Sequence, residues 1–132
     1  MSAFVDTSAL YALLVRDDQD HRKVSTVFKR LVQSGRVLVT SNYVLVETAA
    51  LLQGRHGLAA VRDLQDAILP LIRVFWIREE THRQAVDRLF REDRRHVSLV
   101  DCASFLVMES EGIRDALAVD ADFEQAGFRM LL

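Results

Sequence analysis

The chain has 132 residues and a mass of 15.0 kDa, which fits one domain spanning 1–132, and half of its residues are hydrophobic, enough for a real core. A net charge of −2 argues against binding nucleic acid over the whole surface, and the single cysteine, Cys102, excludes an intrachain disulfide or a cysteine-cluster zinc site. With no basic leader and no apolar run of about 20 residues, we expect a soluble, cytoplasmic protein with no membrane contact.

Strands and helices alternate in the amino-terminal half of the chain. β-branched and apolar runs predict strands, and apolar residues at helical spacing predict helices. We expect Ser41-Asn42 to cap a helix that Gly54 ends. In chain order the predicted elements are the strand 3–5, the helix 7–15, a helix ending at 34–35, the strand 37–40 and the helix 43–53.

The carboxyl-terminal half continues the alternation. Two pairs, Thr81 with Gln84 and Ser98 with Asp101, have the spacing of a capping box and each predict the start of a helix. The predicted elements are the helix 58–69 closed near Pro70, the strand 72–77, a helix from 81 through 90, a charged connection 91–96, a helix over 102–108 that stops at Gly112, and the strands 116–119 and 128–132.

This order predicts an α/β fold with about five strands among six or seven helices. Strands that alternate with helices form a mostly parallel sheet covered on both faces. Such sheets bind ligands at the carboxyl ends of their strands. Any functional site is therefore expected at that edge.

Four acids interrupt apolar stretches of the sequence: Asp6, Glu47, Asp101 and Asp120. A carboxylate in such a place is costly to desolvate unless it meets a cation, a capping amide or a shared metal. A divalent-metal site, which Asp122 could also join, explains all of them together. Without these five acids, the rest of the chain has a net charge of +3.

Each acid also has a simpler explanation when taken alone. Asp6 could be a helix N-cap, Asp101 the partner of Ser98 in a capping box, and Asp120 with Asp122 a turn after a strand. Glu47 could pair with an arginine, but the apolar residues around it leave almost no polar face to share. The metal hypothesis rests on the joint occurrence of the acids.

Other kinds of site find little support in the sequence. The four histidines are scattered without the spacing of a zinc enzyme, so we assign them no role. Cys102 lies in an apolar helix, and the chain has neither a Gly-x-Ser-x-Gly motif nor a phosphate-binding glycine loop. A receiver-type or haloacid-dehalogenase-type phosphoryl-transfer site is disfavoured, because no lysine follows Lys29 and Asp6 is not followed by a second aspartate at position 8.

The acidic motifs, taken in order, resemble the PIN domain, and within it the VapC-type ribonuclease toxins of bacterial toxin–antitoxin systems. The resemblance runs nearly end to end. It is carried by Phe4-Val5-Asp6-Thr7-Ser8-Ala9-Leu10, by Asn42 to Thr48 with Glu47, by Ser98-Leu99-Val100-Asp101-Cys102-Ala103, and by Asp120-Ala121-Asp122-Phe123 followed by Gly127-Phe128.

The resemblance implies a three-layer α/β/α sandwich and Mg²⁺- or Mn²⁺-dependent cleavage of RNA by the toxin of a type II toxin–antitoxin pair. It implies a cognate antitoxin and a homodimer as partners. Asp6 and Asp101 are the expected principal metal ligands, and Glu47, Asp120 and Asp122 complete or tune the site. The alternative is a catalytically weak or inactive PIN-like module that acts mainly through protein partners.

Two further expectations concern the surroundings of the acids. The family often has Thr or Ser where this chain has Ala118, so Thr7 or Ser8 could supply the missing hydroxyl. Arg91, Arg94 and Arg95, with His96, precede the third motif and could hold RNA phosphates near the metal. The simpler explanation of that basic run is a solvated helix end.

Overall fold

The computed structural model describes all 132 residues and contains a five-stranded sheet with seven α-helices. The strands are β1 (Ser2–Val5), β2 (Val37–Ser41), β3 (Arg73–Phe75), β4 (Asp115–Leu117) and β5 (Arg129–Met130). The helices are α1 (Thr7–Leu14), α2 (His21–Gln33), α3 (Asn42–His56), α4 (Leu58–Asp63), α5 (Glu79–Glu92), α6 (Leu99–Glu111) and α7 (Asp122–Gln125). None of the helices combines the length and the apolar character that crossing a bilayer requires.

The sheet is entirely parallel, with strand order β3-β2-β1-β4-β5. The central strand β1 pairs with β2 on one side and β4 on the other, so that Ala3 lies opposite both Leu38 and Asp115. Strands β2 and β3 extend the sheet on one side of β1, and β4 and β5 then extend it on the other side. This reversal opens a crevice beyond the carboxyl ends of β1 and β4.

Helices cover both faces of the sheet. Neighbouring residues of a strand point to opposite faces, and Ala3, Phe4 and Val5 are all fully buried. The buried apolar side chains form one cluster of 28 residues. The predicted α/β/α sandwich with a five-stranded parallel sheet is confirmed.

An aromatic cluster anchors the short helix α7 to this core. The ring of Phe123 lies 5.1 Å from that of Phe105 and 6.4 Å from those of Phe4 and Phe128, measured between centroids. Because Phe123 directly follows Asp122, the burial of the Phe123 ring also determines the position of the Asp122 backbone. The core thus positions one of the candidate ligands.

The predicted end of α3 at Gly54 is wrong. The helix continues through Gly54 to His56 and ends at Gly57, whose φ of +86° is a conformation that side chains with a Cβ rarely adopt. The predicted helix 58–69 is α-helical only as far as Asp63. It continues as a π-helical turn over Leu64–Ile68 and a 3₁₀ turn over Leu69–Leu71.

The start and end of α5 also differ from the prediction. The helix begins at Glu79, so the Thr81/Gln84 pair is not its capping box, and its N-cap Arg78 makes no side-chain capping bond. It extends through Arg91 to Glu92, which shortens the predicted charged connection. By contrast, the Ser98/Asp101 capping box is present, and Gly112 ends α6 as expected.

The last two strands are shorter than predicted. β4 covers Asp115–Leu117 rather than 116–119, and β5 covers only Arg129–Met130. Residues 118–121 therefore form a connection beyond β4, and Asp120 lies on this connection at the carboxyl edge of the sheet.

Candidate functional site

The five predicted acids come from four separate parts of the chain and lie at the carboxyl edge of the sheet. Asp6 directly follows β1 and caps α1, and Asp101 lies in the first turn of α6. Glu47 lies in the second turn of α3, Asp120 follows β4, and Asp122 begins α7. The parallel topology brings these positions to one edge, as the order of the elements predicted.

A cleft of about 320 Å³ opens at this edge, and four of the acids line it. They are Asp6, Glu47, Asp101 and Asp120. Asp122 is not part of the cleft wall, but carboxylate oxygens of Asp101, Asp120 and Asp122 all lie within 4.8 Å of one another. Four of the acids therefore share one cleft, and Asp122 lies close to two of them.

The two carboxylates expected to be the principal ligands each make their hydrogen bonds through one oxygen. Asp6 Oδ2 accepts from the backbone N–H of Ser8 at 3.2 Å and from its hydroxyl at 2.7 Å. Asp101 Oδ2 accepts from the backbone N–H of Ser98 at 3.0 Å, which completes the capping box. In both residues Oδ1 is left available, so capping a helix does not prevent either carboxylate from binding a metal.

In Asp120 and Asp122, as in Asp6 and Asp101, only one of the two carboxylate oxygens has a partner in the chain. Asp120 Oδ1 accepts from the backbone N–H of Asp122 at 3.0 Å, which is the turn proposed from the sequence. Asp122 Oδ1 lies 3.2 Å from Nε2 of His96. One oxygen of each residue remains for another partner.

Burial and mutual repulsion raise the pKa values of three of these acids. Desolvation raises the pKa of Asp6 to about 7, with a smaller contribution from the charge of Asp101. Desolvation also raises the pKa of Asp101, opposed by the hydrogen bonds from Ser98 and reinforced by Asp120. The pKa of Asp122 is raised by desolvation and then by the adjacent Asp120. The chain itself does not supply enough positive charge for this group.

Ser8 connects the first and last motifs of the site. Its hydroxyl donates to Asp6 and accepts from the backbone N–H of Val119 at 2.9 Å. It thus reaches the residue that follows the buried Ala118, the position at which the resemblance led us to expect a hydroxyl. Thr7 has a different environment, since its Oγ1 is buried without a hydrogen-bond partner and the residue lines the cleft.

Glu47 has no ion-pair partner in the structure. It is half-buried and lines the cleft, and none of the salt bridges includes it. The alternative of a helix-interior acid neutralised by an arginine is therefore not what the structure shows. The position of Glu47 agrees with a role in the acidic site.

The basic run before the third motif lies mostly away from the cleft. Arg91 belongs to α5 and lines a separate groove, whereas Arg94 donates to Glu92 at 2.9 Å and to Gln125 at 3.0 Å. Arg95 is exposed and does not line the cleft. Of residues 91–96, only His96 lies on the cleft wall.

Three residues of the cleft wall escaped the sequence analysis: Tyr11, Leu51 and Arg55. Leu51 and Arg55 follow Glu47 at intervals of four residues, so they continue its stripe along α3. That spacing was readable in the sequence. A helix that ends at Gly54, as predicted, leaves Arg55 outside this stripe.

The composition of the site suits a hard divalent cation. All the candidate ligand atoms are carboxylate oxygens, and neither Lys nor Arg is ion-paired to any of the five acids. Mg²⁺ and Mn²⁺ prefer oxygen ligands, and Mg²⁺ needs only one or two carboxylates because it keeps several waters. The buried acids with raised pKa values therefore fit such an ion.

Comparison with known proteins shows the family of the chain. Residues 3–129 match the PIN domain family. The 23S rRNA-specific endonuclease VapC20 of Mycobacterium tuberculosis, from strains H37Rv and CDC 1551, is 40% identical over 126 residues, which cover 95% of this chain and 94% of the relative.

Two solved structures share the fold. The crystal structure of M. tuberculosis VapC20, described as a sarcin-ricin loop cleaving toxin, matches with a TM-score of 0.82 and 41% identity over 96% of this chain and 95% of that one. FitAcB from Neisseria gonorrhoeae matches with a TM-score of 0.71 at 14% identity, covering 98% and 96% of the two chains. The predicted resemblance to PIN-domain ribonuclease toxins of the VapC type is confirmed.

Proposed function

Because the chain belongs to the PIN domain family, we propose that it is a metal-dependent endoribonuclease and the toxin of a type II toxin–antitoxin pair. Residues 1–132 act as one nuclease domain. The observation that carries the proposal is the convergence of Asp6, Glu47, Asp101 and Asp120 on one cleft, with Asp122 beside them. A relative that is 40% identical over nearly the whole chain is named an endonuclease, which supports the same conclusion.

Asp6 and Asp101 are the principal ligands of Mg²⁺ or Mn²⁺ in this proposal, and the other three acids complete the site. A divalent cation held by these carboxylates would lower the pKa of a water and offset negative charge on the phosphate. The role of the protein chain is to hold these carboxylates in position. Ser8 orients Asp6, Ser98 orients Asp101, and Thr7 offers a free hydroxyl at the cleft wall.

The proposed substrate is 23S rRNA, at its sarcin-ricin loop. This rests on the printed descriptions of VapC20 and on the coverage of 95% of this chain by that relative. With such a substrate, we expect the protein to act in the cytoplasm. Sequencing the RNA ends that appear on induced expression tests the substrate, and cuts confined to other RNAs would contradict it.

We expect Asp6→Asn or Asp101→Asn to abolish metal-dependent cleavage while the fold is retained. Either change removes a ligand oxygen, and it also removes a charge whose burial is unfavourable in the metal-free protein. The assay is cleavage of a sarcin-ricin RNA hairpin with Mg²⁺ or Mn²⁺, with and without EDTA. Thermal unfolding of each variant checks the fold.

Asp66→Asn is the matched control, because Asp66 is exposed and lies outside the cleft. It should cleave like the wild type. Wild-type cleavage by purified Asp6→Asn or Asp101→Asn protein, or cleavage by the wild type that EDTA does not reduce, would overturn the metal assignment.

A cognate antitoxin and a homodimer are the proposed protein partners, and they follow from the family resemblance. The alternative function, an inactive module that works through such partners, is separated by the same nuclease assay on antitoxin-free protein. Light scattering of the purified chain tests the dimer, and co-purification with the product of an adjacent small gene tests the antitoxin.

A further inference from the structure

A stripe of side chains on α3 leads from the acidic site to the outer wall of the cleft. Glu47, Leu51 and Arg55 follow one another at intervals of four residues, and all three line the cleft. Arg55 lies two turns beyond Glu47, about 12 Å along the helix axis at 1.5 Å per residue. One helix face therefore carries an acid at one end and an arginine at the other.

Arg55 does not form an ion pair with any acid of the site. It takes part in none of the salt bridges, although five carboxylates are gathered near the same cleft. Its guanidinium carbon instead lies 5.4 Å from the centroid of the Tyr11 ring, a cation–π arrangement. The donors of the guanidinium make no hydrogen bond within the chain and remain available for an anion.

Tyr11 is itself held in place. Its hydroxyl lies 3.0 Å from Nε2 of His56, and its ring is tilted against the imidazole at 5.9 Å between centroids. Tyr11 belongs to α1, one turn after Asp6 and Thr7, so the support of Arg55 comes from the helix that the first ligand caps. The ring that Arg55 contacts therefore belongs to the helix that Asp6 caps.

We propose that Arg55, whose guanidinium packs against the Tyr11 ring, binds a backbone phosphate of the RNA strand that enters the cleft. The inference rests on the proposed function and adds a substrate-positioning residue to it. Arginine binds phosphate through two parallel hydrogen bonds, and an arginine that is already held in place loses less conformational freedom on binding.

Arg55 has a better position for this role than the basic run 91–96. Among the arginines of the chain only Arg55 lines the acidic cleft, whereas Arg94 is engaged with Glu92 and Gln125. The acidic wall repels RNA at long range, so one cation at the entrance gives the strand a fixed point of attachment. His96, on the cleft wall beside Asp122, is a second polar group at the entrance.

The test compares RNA binding and cleavage by Arg55→Gln, Arg55→Lys and the wild type. Binding is measured by fluorescence anisotropy with a labelled sarcin-ricin RNA hairpin in an Asp6→Asn background, which prevents cleavage. We expect Arg55→Gln to weaken binding about tenfold and to reduce the slope of log affinity against log salt by about 1. In the otherwise wild-type enzyme, KM should rise about tenfold while kcat changes less than about twofold.

Arg55→Lys should recover part of the affinity, because it keeps the charge but loses the planar guanidinium on Tyr11. Arg114→Gln is the matched control, since Arg114 is exposed at the opposite edge of the sheet and should leave both constants unchanged. An Arg55→Gln protein with wild-type affinity and salt slope would overturn the inference. Absence of cleavage by the wild type would instead count against the proposed function, and the binding comparison would still stand.

Discussion

Asp6 accepts two hydrogen bonds from Ser8 through Oδ2, and Asp101 accepts the capping bond of Ser98 through its own Oδ2. Each contact orients a carboxylate whose other oxygen is left available. A helix cap and a metal ligand are therefore compatible roles for one aspartate. The simpler explanation of each acid describes its local geometry and does not compete with the site.

Ser8→Ala should lower the cleavage rate about 10- to 100-fold, the usual cost of losing a group that orients a metal ligand. The change removes the hydroxyl that donates to Asp6 and accepts from the backbone of Val119. The measurement is kcat on the RNA hairpin together with Mn²⁺ affinity from calorimetry. Ser110→Ala is the control, because the Ser110 hydroxyl bonds only to Val107 O outside the site. Unchanged kcat and Mn²⁺ affinity in Ser8→Ala would contradict the orienting role.

The sequence named both Thr7 and Ser8 as substitutes for the hydroxyl missing at Ala118 and could not choose between them. The choice depends on which hydroxyl reaches the connection after β4. That contact joins residues 111 positions apart and exists only because β4 pairs with β1. Local pattern carries no information about such a pairing, whereas the cap at Asp6 is local and was predictable.

At the scale of the helices, α3 shows how an element boundary determines the composition of a site. Gly54 has a helical neighbour on each side, and a Cβ at this position would meet no atom within 4 Å. Glycine inside a helix costs about 1 kcal/mol relative to alanine, which favours an end at Gly54 when only the sequence is considered. The structure places the end at Gly57 instead, so the helix also includes Arg55, which lines the cleft, and His56, which contacts the Tyr11 hydroxyl.

Gly54→Ala and Gly57→Ala should have opposite effects on stability. Alanine at 54 fits the helix and lowers the entropy of the unfolded chain, so we expect stabilisation by about 0.5–1 kcal/mol. Alanine at 57 must adopt a φ of +86°, so we expect destabilisation by about 1–2 kcal/mol. Urea denaturation of the two variants measures both, and a loss of stability in Gly54→Ala would contradict the helix extending through that position.

The position of the acids at one edge of the sheet could be predicted from the order of the elements, whereas the position of Arg55 could not. Elements that end at the carboxyl edge of a parallel sheet must meet there, so Asp6 and Asp120 could be placed together from the order of strands alone. Arg55 reaches the site through the length of a helix and the contact of α3 with α1. Both depend on packing between elements, as the seat of Arg55 on Tyr11 shows.

Across the whole molecule, both the carboxyl edge and the amino edge of the sheet contain buried aspartates. The pKa values of these aspartates are shifted in opposite directions. At the carboxyl edge, desolvation raises the pKa of Asp6 to about 7. At the amino edge, burial of Asp115 acts in the same direction, but hydrogen bonds from Arg129 and Arg36 at 2.8–2.9 Å outweigh it and lower the pKa. The chain neutralises the aspartate that holds strands together and leaves unneutralised the ones that fit a metal.

Asp115→Asn should therefore destabilise the fold by about 1–3 kcal/mol at pH 7, because the two arginines lose their shared carboxylate. The folded pKa of Asp115 lies below its unfolded value, so its contribution is fully present above about pH 4 and is lost as the pH falls further. The difference in unfolding free energy between variant and wild type, from urea denaturation at pH 3 to 7, should thus shrink below about pH 4. Asp66→Asn, at an exposed position without an ion pair, should show almost no difference at any pH. If the Asp115→Asn difference stayed constant down to pH 3, the arginines would be acting through packing and not through the charge of Asp115.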